Sequence, residues 1–219
     1  MESRLTAREV AGGLPFEQIV ASEYPDIGRT VPPQCPDVYA GRVGDIPKGS
    51  KDWGFAVSLP PRPADQPCII LVLESPHVRE YDRRYAYTPW PANGSTGRNI
   101  RRWAPVLADS LGLDDSVGLV LLNAIPYQCS LGEEGEWRER RNRLFESSWA
   151  QGGREFFLQR LRKWYQPHDV VVNACTKARE REPLRGMVEE ALESSGIQHR
   201  ARRWHPAAWR TENAVRQSW

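Results

Sequence analysis

Three runs of apolar residues mark the chain: Cys68–Leu73, Val117–Leu122 and Val170–Val172. Each is short, unbroken by polar residues and rich in branched aliphatic types. That is the pattern of strands buried on both faces of a parallel sheet. Between them the period becomes helical. Ile100, Trp103, Val106, Leu107 and Leu111 share one helical face, with Ser95 or Thr96 as N-cap, Gly112 as the stop and Pro105 inside. A charged helical stretch covers 134–149 and breaks at Gly152-Gly153; a second helix then carries Phe156, Phe157, Leu161 and Trp164. Pro183 opens a helix through Leu184, Met187, Val188, Ala191 and Leu192, and Gly196 closes it. Gln198–Trp204 alternates like an edge strand, and Pro15–Glu23 reads as a short helix.

The order β–α–β–α–β–α–β predicts a three-layer α/β/α fold around a four-stranded, mostly parallel sheet with right-handed crossovers. Residues 68–219 form this core. Residues 1–67 read as an irregular amino-terminal segment packed on the same domain. Within it 1–13 are frayed, and 25–67 are rich in proline and glycine, with a short strand near Phe55–Leu59.

At 219 residues, 40% of them hydrophobic, the chain is expected to form one monomeric domain. No apolar run approaches the roughly 18 residues of a membrane span, and Met1-Glu2-Ser3-Arg4 leads into no apolar signal region, so a cytoplasmic protein is expected. Cys35, Cys68, Cys129 and Cys175 are scattered without a CxxC pair, which argues against a zinc site, a disulfide framework or an iron–sulfur cluster; no metal and no cofactor is expected. A net charge of +2 says little about partners, but arginines gather at 98–102, 138–143, 179–185 and 200–210. Converging on one side, such clusters make a phosphate-facing surface.

The strand ends carry the chemistry. Cys68–Leu73 runs into Glu74-Ser75-Pro76-His77, and Pro76 stops the ladder. Asn123 ends the second strand, Asn173 the third, and His205-Pro206 follows the fourth. Parallel strands deliver their carboxyl ends to one edge, where open α/β sheets bind ligands. The helix start at Ser95–Asn99 adds spare N–H groups suited to an anion.

Leu73-Glu74-Ser75-Pro76-His77, Gly94-Ser95-Thr96-Gly97-Arg98-Asn99-Ile100, Leu121-Leu122-Asn123-Ala124, Val170–Ala174 and Trp204-His205-Pro206-Ala207-Ala208 follow one another at the spacings of a known motif set. Taken together they resemble the uracil-DNA glycosylase superfamily, most closely its family 4. The resemblance implies an enzyme that flips a base out of DNA and hydrolyses its glycosidic bond, leaving an abasic site without strand cleavage. It implies catalytic roles for Glu74 on the sugar cation and attacking water, for His205 on the departing base, and for Asn123 on the base edge. Ser75, Pro76, His77, Tyr127 and Asn173 would line the base pocket. Ser95, Thr96, Gly97, Arg98 and Arg210 would hold DNA phosphates, and Trp209 would be the wedge inserted into the duplex.

The chain also departs from the pattern. Leu73 replaces the leading glycine, His77 the closing Gly or Tyr, and the iron–sulfur cysteines of family 4 are absent. A long aromatic loop at 78–93 and a helical insert at 133–166 are added. These departures point away from plain uracil and towards a modified or bulkier base. By analogy with bacterial members that defend against phages, a hypermodified cytosine of phage DNA is one such base. Two other readings stay open: a non-catalytic nucleic-acid binder on the same fold, and a nucleotide or nucleoside hydrolase.

Overall fold

The computed structural model describes residues 13–25, 31–48, 61–81, 89–130, 137–177 and 184–219. Its sheet has five strands: β1 (Val38–Arg42), β2 (Cys68–Leu73), β3 (Gly118–Asn123), β4 (Val170–Asn173) and β5 (Arg200–Arg202), in the order β1-β3-β2-β4-β5. The neighbours from β3 through β5 pair in parallel, while β1 runs antiparallel to β3. The expected four strands are present, and the count is corrected to five by β1. That strand arises within the segment read as irregular. Val-Tyr-Ala-Gly-Arg is too short to show a period, Gly41 sits at φ 101°, and the register shifts between Tyr39 and Arg42. The expected strand near Phe55–Leu59, the frayed stretch up to residue 12, residues 82–88 of the 78–93 loop, the start of the 133–166 insert and Pro183 lie outside the described residues.

The helices are α1 (Phe16–Glu23), α2 (Ser95–Ser110), α3 (Trp137–Ser148), α4 (Arg154–Trp164), α5 (Leu184–Ser194) and α6 (Glu212–Arg216). Gly112 at φ 72° and Gly196 at φ 78° follow α2 and α5, as the sequence predicts. Gly152, at φ 103°, breaks α3 from α4. A Cβ on Gly153 would come within 2.5 Å of Ser148 O and 2.7 Å of Ile125 Cδ1, so only glycine lets the turn sit this close.

Side chains of β2 alternate between two cores. Cys68, Ile70 and Val72 face α1, α3, α4 and α5, whereas Ile69, Leu71 and Leu73 face α2 and α6. The chain passes from β2 to β3 over the α2 face, then back across β2 to β4 over the other face, as connections of one hand require. The strand order therefore reverses between β2 and β4, which is where such sheets open a crevice at their carboxyl edge.

The opposite edge is locked by a buried ion pair. Asp169 Oδ1 and Oδ2 accept from Arg62 Nη2 and Nη1 at 2.6 and 2.9 Å. The same carboxylate accepts the backbone N–H of Cys68 at 2.8 Å and of Gln166 at 2.7 Å, tying the start of β2 to the turn before β4. Both side chains are almost wholly buried. Removing one partner strands the other charge, so Asp169→Ala should lower unfolding free energy by about 3–5 kcal/mol. The shift in denaturant midpoint measures this, and a change under about 1 kcal/mol would show the pair to be dispensable.

Candidate functional site

A cavity of about 420 Å³ opens at the carboxyl edge of the sheet. Glu74, Asn123 and His205 all line it, together with Ser75, Pro76, His77, Ser95 and Thr96. Three elements distant in sequence thus meet, because β2 and β3 are paired in register with Leu73 level with Asn123. His205 arrives on the turn after β5. That turn is pinned to α2, where Asn99 Nδ2 donates to Pro206 O at 2.8 Å.

Glu74 is almost fully buried. Arg141 Nε of α3 lies 3.2 Å from its Oε1, and Thr176 Oγ1, just past β4, donates to its Oε2. Ser75 Oγ makes a longer contact of 3.4 Å to Oε1. Burial pushes this carboxyl up to about 7, with Arg141 and Ser75 pulling the other way. The half-buried His205 is held down at about 4, first by desolvation at the cavity wall and then by the charge of Arg141. The ring is therefore neutral across the physiological range. Its Nδ1 accepts the Ala207 N–H at 3.2 Å, which leaves the proton on Nε2.

Asn123 is 1% exposed, and neither Oδ1 nor Nδ2 has a hydrogen-bond partner of normal geometry among the described residues. The nearby Cys35 thiol feels this amide, but sulfur is only a weak acceptor. The backbone of Asn123 is fixed by Arg160 of α4. Arg160 Nη2 donates to the carbonyls of Asn123 and Ala124 at 2.5 and 3.0 Å, and its Nη1 pairs with Asp37 at 2.5 Å. Burial raises Asp37 to about 6 despite that partner.

The remaining expected site residues lie elsewhere. Asn173 pairs with Val72, so strand alternation turns it to the face opposite Asn123. There its Nδ2 donates to Arg185 O and Glu189 Oε2, both at 2.9 Å, and it braces α5. Tyr127 stacks on Phe16 at 4.8 Å between ring centroids, away from the cavity lining. Trp209 is 1% exposed, and its indole N–H donates to Trp204 O, so it is a core residue and not an exposed wedge. Gly97 is buried within α2, whereas Arg98 and Arg210 are exposed, each three residues beyond a lining residue (Ser95 and Ala207). The cap of α2 is Gly94 and not Ser95 or Thr96: no side chain caps the helix, and its first turn faces the cavity.

Four lining residues lie outside every motif quoted from the sequence: Glu80, Ser130, Arg141 and Thr176. Arg141 looks like any charge on a solvated helix, and nothing local shows that α3 aims it at Glu74. Glu80 follows the β2 motif closely enough to have been a candidate on position alone.

Among the described residues no group of three His, Cys, Asp or Glu is arranged to hold a metal ion, and no helix is long and apolar enough to cross a membrane. Comparison with protein-family profiles, with curated proteins and with solved structures finds no match to this chain.

Glu80 also makes stability depend on pH. Burial lifts it from 4.5 to about 8, against hydrogen bonds from the backbone amides of His77 and Ala92. A carboxyl with a raised native pKa binds its proton more tightly when folded. Its contribution is complete below about pH 4.5 and is lost as pH rises through about 8. Between those limits the melting-temperature advantage of the wild type over Glu80→Gln should shrink as pH rises. A constant difference would show that Glu80 does not titrate in this window.

Proposed function

We propose that this protein is a monofunctional DNA glycosylase, a member of the uracil-DNA glycosylase superfamily, acting on a base everted into the cavity. The observation that carries this reading is one of assembly. A buried carboxyl, a carboxamide without a hydrogen-bond partner of normal geometry among the described residues, and a neutral imidazole meet in one cavity beside a helix start that no side chain caps.

In the proposed reaction the bond between the sugar C1′ and the base nitrogen breaks, and the base leaves with the electron pair. Water adds its hydroxyl to C1′, and its proton is released. Glu74, ionised, stabilises the cationic sugar and orients the water. His205, neutral with its proton on Nε2, donates a hydrogen bond to the developing anion. The Asn123 amide offers one donor and one acceptor to the base edge. The first turn of α2 supplies N–H groups for a neighbouring phosphate, and Arg98 and Arg210 take flanking ones. Among the described residues no lysine lines the cavity, which fits hydrolysis to an abasic site.

Hydrolysis of a free nucleoside or nucleotide is a second reading. It gains from the burial of Trp209, which removes the exposed wedge expected of an enzyme that opens a duplex. Duplex or single-stranded DNA binding that weakens steeply with salt favours the first reading, and its absence the second.

Incubation with DNAs of differing base content, followed by mass spectrometry, should detect a released base. Glu74→Gln and His205→Ala should each reduce the rate by about 10²–10⁴ while leaving the fold intact. Unchanged turnover in both would remove these groups from the reaction. The wild-type rate should rise with pH through about 7 as Glu74 ionises, with no separate limb from His205, which is already neutral above about 4. Arg141→Gln removes the charge that lowers Glu74, so its profile should move to higher pH; a profile that stayed in place would mean that another group sets the limb.

A further inference from the structure

The cavity contains polar atoms that the reaction above does not use. Glu80 lies on the 3₁₀ turn after the Glu74 motif, lines the cavity and is 6% exposed. The amides of His77 and Ala92 reach its carboxyl, and its backbone carbonyl accepts from Trp90 N–H at 3.0 Å, so the side chain is held firmly. Yet Oε2 has no partner among the described residues. Ser130, also lining the cavity and 7% exposed, likewise leaves its Oγ without one.

Glu80 and Asn123 share a neighbour. Both act on the buried Cys35 thiol, the amide through its side chain and the carboxyl through its charge. The Cys35 loop is fixed at that place by its N–H to Pro126 O, at 2.7 Å. Both groups line the one cavity, and each leaves a buried polar atom unpartnered among the described residues. Leaving a buried polar atom unpaired costs stability, a penalty that a ligand atom meeting it removes. The volume of about 420 Å³ is also more than a single pyrimidine ring occupies.

We propose that Glu80, assisted by Ser130, forms a second hydrogen-bonding subsite in the cavity that Asn123 lines, which selects a nucleobase carrying a polar substituent or second ring beyond the edge that Asn123 reads. This rests on the glycosylase reading of the same cavity and deepens it. At neutral pH the Glu80 carboxyl, pushed up to about 8, is largely protonated and offers an O–H as well as a carbonyl oxygen. A site built to bond such a group discriminates strongly against analogues that lack it, because its own buried atoms would then stay unpaired.

The test compares base release from oligonucleotides containing uracil, 5-hydroxymethyluracil or hypoxanthine. Wild type should prefer at least one of the two larger bases over uracil by tenfold or more. Glu80→Leu should lower that preference at least tenfold, Ser130→Ala should lower it less, and Glu80→Gln, which keeps a donor and an acceptor, should retain most of it. Melting curves confirm that each variant is folded; if Glu80→Leu is not, Glu80→Met takes its place. Equal losses on all three substrates, or an unchanged ratio, overturn the subsite. If wild type releases none of these bases, calorimetry with the free bases decides the question apart from catalysis. Tighter binding of a larger base that Glu80→Leu abolishes supports the subsite, and equal affinities overturn it.

Discussion

The parallel pairing of β2 between β3 and β4 is the constraint on which the rest depends. β2 and β3 are buried along their whole length, so neither can slip by one residue without moving its side chains to the wrong core. That register sets Leu73 level with Asn123 and Val72 level with Asn173. It therefore decides which carboxamide reaches the cavity and which braces a helix. At the other end of β2, Asp169 fixes the start of the strand through backbone and arginine alike. With both ends anchored, Glu74 leaves the sheet at a defined point.

The cavity opposes this rigid frame with a set of ionisable groups in places that disfavour charge. Glu74 and Glu80 are both raised by burial, and His205 is lowered by it. Each is thereby moved towards its neutral form. Arg141 acts against that tendency at Glu74 and with it at His205, so one guanidinium biases the two groups in the directions that keep a carboxylate and a neutral ring side by side. Thr176 adds a hydroxyl from the end of β4. The balance between desolvation and these few partners is what a chemical role for the cavity would draw on.

Much of this was legible in the sequence, because the informative signals are local. Unbroken apolar runs mark parallel strands, and the polar residue ending each run marks the carboxyl edge. Glu74, Asn123 and His205 could be placed on one rim from that alone. The signals failed where the outcome depends on distant contacts. β1 has too few residues for a period, and its place is fixed by pairing with β3, where a Cβ on Gly118 would come within 2.8 Å of Tyr39 Cε2. Asn173 ends a strand as Asn123 does, but the pleat points it the other way. Trp209 follows a His-Pro pair on a short turn, yet packs inward against α2 and its neighbours. Arg141 belongs to a helix whose charges are otherwise unremarkable, and only the fold brings it to Glu74.

The contact between Arg141 and Glu74 has a consequence for how the cavity fills. An anionic ligand group that drew the guanidinium towards itself would leave the carboxyl with less electrostatic support and a greater affinity for hydrogen ions. Occupancy of the cavity and protonation of Glu74 are then linked, and complex formation takes up a fraction of a proton from solution near neutrality. The heat of association would consequently vary with the ionisation enthalpy of the buffer.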